Sequence, residues 1–303
     1  MNNIKPGDIV ARKKYGKDIF FKVKSLIITD TGETTAILRG LDVRLVADAP
    51  LEDLELQPAE KVLHYRHCDI QKHSLCFRRI LQRREAEREA FMLRGERPGR
   101  EEREPDKREG IPGEGFFEVP GRVLHIDGDE EYLDKCLHAY EQLKIPAQGV
   151  CLPEEQQASK VEELLKEYTP DILVLTGHDG LLREKSSSYT DLDSYRHSKH
   201  FVAAVRAART LRPTHDDLAI FAGACQSHYE ALLKAGATFA SSPRRVLIHA
   251  YDPVFVVERI AYTTIEKTLG PADIIKDTIT GNEGIGGIEI KGKLRLGYPT
   301  SSY

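Results

Sequence analysis

Two aliphatic runs, DILVLTGHDG at 171–180 and DDLAIFAGACQS at 216–227, constrain this chain more than any other feature. Neither alternates apolar with polar residues, so each reads as a short strand buried on both faces of a parallel sheet. Between them, SYRHSKHFVAAVRAARTLRP sets Phe201, Ala204, Val205, Ala208 and Leu211 on one helical stripe. A strand, a right-handed crossover helix and a second parallel strand bring both strand ends to one edge of the sheet. Open α/β sheets gather their ligands and chemistry at that carboxyl edge. The residues arriving there are His178 and Cys225.

The flanking sequence repeats the pattern. GRVLHIDGD reads as a strand, EEYLDKCLHAYEQLK as a helix with Leu133, Cys136, Leu137, Tyr140 and Leu143 inward, PAQGVCLP as a strand and EEQQASKVEELLKEY as a helix. After Cys225 come a helix in HYEALLKAG closed by Gly236, a strand in RRVLIHAYDP, a helix in FVVERIAYTTIEKTLG and a terminal hairpin in TGNEGIGGIEIKGKLRLGYP. Residues 120–303 are therefore expected to form a three-layer α/β/α sandwich with a mainly parallel sheet. The glycines of NEGIGG do not sit between a strand and a helix, so they are not read as a phosphate loop, and no cofactor is expected.

Ahead of this lie two different segments. Residues 1–57 alternate β-prone runs with turns such as Pro6-Gly7-Asp8 and Thr31-Gly32, which predicts a small SH3-like β-barrel. Its Arg12, Lys13, Lys14 and Lys17 form a local basic cluster, read as a solvated face. Residues 58–119 open as a charged helix and continue into an Arg/Glu-rich linker with Gly95, Pro98, Gly99 and Pro105. His64, His67, Cys68, His73 and Cys76 are close in sequence, but their spacing fits no standard structural zinc site, and no metal is expected.

With 303 residues, a main domain plus a smaller one is the default, and the 40% hydrophobic content is enough for a real core. No apolar run approaches the roughly 18 residues of a membrane span. The start, MNNIKPGDIV, lacks the apolar core of a secretory signal. Five cysteines, an odd count, suit free thiols in a reducing compartment, and a net charge of −4 gives no pull towards nucleic acid. These features exclude a membrane protein, a disulfide scaffold and a nucleic-acid tail, and a cytosolic location is expected.

A thiol acts as a nucleophile when ionised, and a partner imidazole and a helix N-terminus both favour that form. Cys225 is expected to have both, with His178 as general base and the small Gly223 and Ala224 allowing close approach of a substrate. Either residue alone is common in cores. The pair at successive strand ends is what points to chemistry.

The order of Gly177-His178-Asp179-Gly180 before Gly223-Ala224-Cys225 resembles the caspase, gingipain and legumain superfamily of cysteine peptidases. The departure is Asp179 where that superfamily has glycine after histidine. The resemblance implies an oxyanion hole from the Cys225 amide with that of Asp179 or Gly180. PGDIVARKKYGKDIFFKV, VLHIDGD, LVLTGHDG, FAGACQSHYEALLKAGA, FASSPRRVLIHAYDP and GIGGIEIKGKLRLGYP together resemble the YabG family of sporulation-specific proteases over nearly the whole chain. That implies a cysteine endopeptidase of endospore formation, acting in the mother-cell cytoplasm and spore coat on coat and cortex-associated proteins. It also implies cleavage beside arginine or another basic residue. In the superfamily the end of the first strand commonly supplies the charged specificity residue; here Asp127 and Asp129 stand there, with Asp252 as the next candidate. Capping of the following helix is the other role open to Asp127. Residues 94–108 would offer such an enzyme arginines for self-processing.

Two other functions are compatible with the residues. One is an amidotransferase-type hydrolase, whose cysteine sits in a G-x-C-x-G elbow with histidine later in the chain; here the fifth position is Ser227, although His228 and His249 follow. The other is a non-enzymatic coat morphogenetic protein that uses the barrel and linker for docking.

Overall fold

The computed structural model describes residues 4–28, 32–95, 116–182 and 188–299. The N-terminal unit is a five-stranded antiparallel sheet of β1 (Ile9–Arg12), β2 (Phe20–Ile28), β3 (Thr34–Gly40), β4 (Val46–Pro50) and β5 (Leu54–Leu56), in the order β4-β3-β2-β1-β5. Its inward residues Val10, Phe21, Val23, Ala36, Leu38, Ala49 and Leu54 form a core of their own. Two residues of the basic cluster are paired locally: Arg12 with Asp53 at 2.8 Å and Lys17 with Glu55 at 2.6 Å.

A single helix, α1 (Ala59–Gly95), leads from this unit across the main domain. Its Arg, Glu, Leu and Ala content favours helix, but a helix this polar needs tertiary anchors. Cys76 and Ile80, one turn apart, enter the main core, and Arg83 and Arg84 pair with the buried Glu258. Near its start, Tyr65 stacks on Phe20 with ring centroids 4.5 Å apart, and Asp69 accepts a 2.8 Å hydrogen bond from His249. The sequence cluster His64, His67, Cys68, His73 and Cys76 is strung along this helix; Cys76 is in the core, and His73 lies 3.8 Å from Asp69. Residues 96–108 of the expected self-processing stretch lie outside the described residues.

The main unit is α/β. In chain order it contains β6 (Phe117–Val119), β7 (Val123–Asp127), α2 (Glu130–Gln142), β8 (Ala147–Cys151), α3 (Glu154–Tyr168), β9 (Ile172–Thr176), α4 (Ser198–Leu211), β10 (Ala219–Ala222), α5 (Tyr229–Ala235) and β11 (Phe239–Ser241). It closes with α6 (Asp252–Ala261), β12 (Thr268–Leu269), α7 (Pro271–Ile275), β13 (Ile285–Gly287), β14 (Ile290–Lys291) and β15 (Arg295–Gly297). The central sheet runs β13-β11-β10-β9-β7-β8, parallel except for β13. Side chains alternate faces along each strand. Val123, Ile172, Val174, Ala219 and Phe221 pack with α1, α2, α6 and α7, while Leu124, Ile126, Leu173, Leu175 and Ile220 pack with α3, α4 and α5. Both faces are covered, as the unbroken aliphatic runs require. Among the described residues no helix is long and apolar enough to cross a membrane.

The C-terminal third differs from its sequence reading. The strand after Cys225 is Phe239–Ser241, not RRVLIHAYDP, whose residues 244–251 run as an irregular segment against the cysteine turn, with the Gln226 N–H donating to the Val246 carbonyl at 3.1 Å, and whose Asp252 and Pro253 open α6. The expected 255–270 helix stops at Ala261, where Tyr262, Thr263, Thr264 and Ile265 bring β-branched and aromatic side chains that disfavour helix. The tail is not a hairpin. β13 extends the central sheet beside β11, β14 pairs with β12, and β15 pairs with β6.

Candidate active site

The sheet register determines which side chains meet. Asp127 is opposite Thr176, and Ala222 is opposite Leu175. Continuing the three strands past their ends, Asp129 and His178 come level, each two residues on. Cys225 follows Ala222 by three residues, as His178 follows Leu175. β7, β9 and β10 are adjacent and parallel, so Asp129, His178 and Cys225 all follow strand ends at the same carboxyl edge of the sheet.

His178 is held between two carboxylates. Its backbone N–H donates to Glu154 Oε1 at 2.6 Å, the same oxygen lies 3.5 Å from Nδ1, and Asp129 Oδ2 lies 3.5 Å from Nε2. Burial acts to raise the Glu154 carboxyl, but its hydrogen bonds from His178 outweigh that and hold it below its ordinary value. Glu154 reaches this place only because Gly128 and Gly177 lack side chains. A Cβ on either would stand 2.3 or 2.2 Å from its Oε1.

Cys225 is fully buried. Its Sγ receives the Ile248 N–H at 3.4 Å and lies 3.8 Å from the Ile248 carbonyl. Burial pushes the thiol up to about 12, against the opposing effect of the Ile248 and Arg44 backbone N–H groups and the Arg44 charge. Among the described residues no hydrogen bond joins Sγ to His178, whose Nε2 has no hydrogen-bond partner. The helix expected to point at the thiol begins at Tyr229, capped by His228, so its first turn lies past the cysteine.

Of the amides nominated for the oxyanion hole, that of Gly180 is committed, donating to Asp179 Oδ1 at 2.9 Å. The Asp179 carboxylate also accepts from the His197 N–H and from the Ser198 and Ser227 hydroxyls. Asp179 thus ties together the turns that carry His178 and Cys225. Asp252, the third candidate reader of substrate, is fully buried and hydrogen-bonded within the chain. Its two oxygens accept from the N–H groups of His249, Ile279 and Thr280 and from the Thr280 hydroxyl.

Asp127 and Asp129 have separate roles. Asp129 caps α2, accepting from the Tyr132 N–H at 3.2 Å, and pairs with Arg39 at 2.9 Å. Asp127 does not cap. It is fully buried and pairs with the guanidinium of Arg44, which is equally buried and comes from the β3–β4 loop of the N-terminal unit. Asp127 also accepts from the Thr176 hydroxyl at 2.8 Å, and His125 lies between Thr176 and Tyr140. Burial acts to raise the Asp127 carboxyl; the Arg44 charge and His125 outweigh it and hold it well below the usual carboxylate range. The guanidinium is completed by Cys136 Sγ at 3.2 Å and the Ala250 carbonyl at 3.4 Å. Sequence reasoning missed Arg44, Glu154, Tyr132 and His125. The glycines facing Glu154 were a visible signal; nothing local connects residue 44 to residue 127.

An α/β protein with an imidazole, a thiol and a guanidinium-binding carboxylate at adjacent ends of parallel strands has the general layout of a hydrolytic enzyme. The comparisons with known proteins agree. Residues 5–299 match the family described as YabG peptidase U57, and the chain belongs to that peptidase family. It is 41% identical, over 298 residues covering 98% of both chains, to the sporulation-specific protease YabG of Bacillus subtilis (strain 168).

Proposed function

We propose that this chain is a cysteine endopeptidase of sporulation that cleaves spore coat and cortex-associated proteins beside arginine, working in the mother-cell cytoplasm and the coat. In this reading the main unit is a caspase-like sandwich and the N-terminal unit an SH3-like module. Cys225 attacks the scissile carbonyl carbon after passing its proton to His178. His178 returns the proton to the departing amine, and water then hydrolyses the thioester. The amides of Cys225 and Asp179 face the developing oxyanion. Glu154 and Asp129 orient the imidazole. Asp127 reads the substrate guanidinium by charge-assisted hydrogen bonds, the geometry that separates Arg from Lys.

One observation carries the reading: the guanidinium bound by Asp127 belongs to a segment whose main chain pairs with His249 and Ala250, next to Ile248, whose N–H donates to the Cys225 thiol. An arginine side chain in that pocket therefore puts its main chain at the nucleophile, the position from which the adjoining peptide bond is attacked. The test is to sequence the new N-termini formed when the purified protein meets spore coat extract. New ends should follow arginine and be absent with Cys225→Ala. Cleavage that persists in Cys225→Ala would end the cysteine-peptidase reading.

A further inference from the structure

The arginine that occupies this pocket belongs to the protein itself, and the segment carrying it is bound as a peptide substrate would be. Residues 40–45 form the turn between β3 and β4, closed by the Gly40 N–H donating to the Leu45 carbonyl at 2.8 Å. Val43 bridges His249 in antiparallel fashion, and the Ala250 N–H donates to the Asp42 carbonyl at 2.9 Å. This is strand addition, a general way in which proteins bind extended peptides: main-chain bonds supply affinity and a pocket reads one side chain. The side chain read is Arg44, wholly buried on Asp127.

The loop is also pinned from outside. The Tyr132 hydroxyl lies 2.6 Å from both the Gly40 and Val43 carbonyls, and Lys135 Nζ donates to the Leu41 carbonyl at 2.6 Å. Next to the loop, Arg39 pairs with Asp129 and Glu131. Cys225 has no exposed surface in this arrangement, so an external peptide cannot reach it. Burial also keeps the thiol protonated, with its value near 12.

We infer that the Gly40–Leu45 loop is a built-in pseudosubstrate, in which Arg44 fills the arginine pocket and shuts the peptidase until the loop withdraws. The inference rests on the cysteine-peptidase reading with Asp127 as the arginine reader. The loop is closed on itself and attached at both ends, so it competes at the high effective concentration of an intramolecular ligand. Weakening it should open the site.

Three full-length proteins test this: wild type, Arg44→Gln and Lys135→Ala. The last removes one clamp on the loop and leaves the pocket intact, so it keeps the test usable if Arg44→Gln fails to fold. Two rates are measured: iodoacetamide alkylation of Cys225, mapped by mass spectrometry, and turnover of a short fluorogenic Arg peptide. Both should rise about tenfold or more in Arg44→Gln, and severalfold in Lys135→Ala. A synthetic peptide with the sequence of residues 40–46 should inhibit the opened enzyme competitively, and the same peptide with Gln in place of Arg should not. Wild type that cleaves the short peptide and alkylates as fast as folded variants refutes the pseudosubstrate while leaving the peptidase reading intact. Faster alkylation with no Arg-peptide cleavage by any variant refutes the peptidase reading and the inference with it.

Discussion

The Arg44–Asp127 pair should behave as a buried ion pair whose halves cannot be removed one at a time. Both side chains are wholly inaccessible. Asp127→Leu would leave the guanidinium only Cys136 Sγ and the Ala250 carbonyl, and its Nε already lacks a partner. That places the loss at the upper end of the range for orphaning a buried charge, about 5 kcal/mol. Arg44→Met would leave Asp127 the Thr176 hydroxyl at 2.8 Å and the Asp129 N–H at 2.9 Å, so its loss should be smaller, about 3 kcal/mol. The double variant removes both charges and should lose less than either single change, because replacing a buried pair with apolar groups is often neutral. Urea denaturation followed by circular dichroism measures all four corners of the cycle. At about 2–4 °C per kcal/mol, Asp127→Leu should also melt roughly 10–20 °C lower. The pH dependence has a definite sign. Asp127 is held below its unfolded value of about 3.9, so its contribution is complete above that pH and is lost as pH falls towards the folded value. The gap between wild type and the double variant should therefore shrink below about pH 4. An Asp127→Leu cost under about 1 kcal/mol, or losses that simply add in the double variant, would refute the reasoning.

Other perturbations have equally definite outcomes. His178→Ala should lower turnover by a factor on the order of 10² or more, the usual scale for a lost general base, and an unchanged rate would remove it from the mechanism. Glu154→Gln should keep the fold yet cut kcat by roughly tenfold and alter the pH profile, as expected for a residue that orients His178; a change in stability alone would make it structural. Gly177→Ala sets a Cβ 2.2 Å from Glu154 Oε1, so thermal melting should show an overpacking loss of about 1–3 kcal/mol. Asp252→Ala should cost stability by a similar amount, about 1–3 kcal/mol from orphaned donors, with the preference for Arg over Lys substrates unchanged. A shifted preference would return Asp252 to the pocket.

The sequence by itself determined the elements with strong local signals. Unbroken aliphatic runs ending at Thr176 and Ala222, with an amphipathic helix between them, require a parallel pair buried on both faces, and that fixes His178 and Cys225 at one edge. The cap before Glu130 was also readable, although it belongs to Asp129 and not to Asp127. Local pattern failed where the deciding partner is distant in the chain. VLIHA has β-prone residues, but its neighbours are the cysteine turn and the Asp42–Val43 main chain, so it forms the rim of the site without joining the sheet. The terminal strands followed the same rule: β13 pairs with β11, and β15 with β6, far away in sequence. Only the tertiary structure decided what fills the pocket. Composition shows Arg44 as one basic residue in a turn of the small unit, ordinarily a solvated position. It is buried because Asp127, 83 residues later, is a carboxylate shut away from water, and a charge in that position is stable only with an opposite charge beside it.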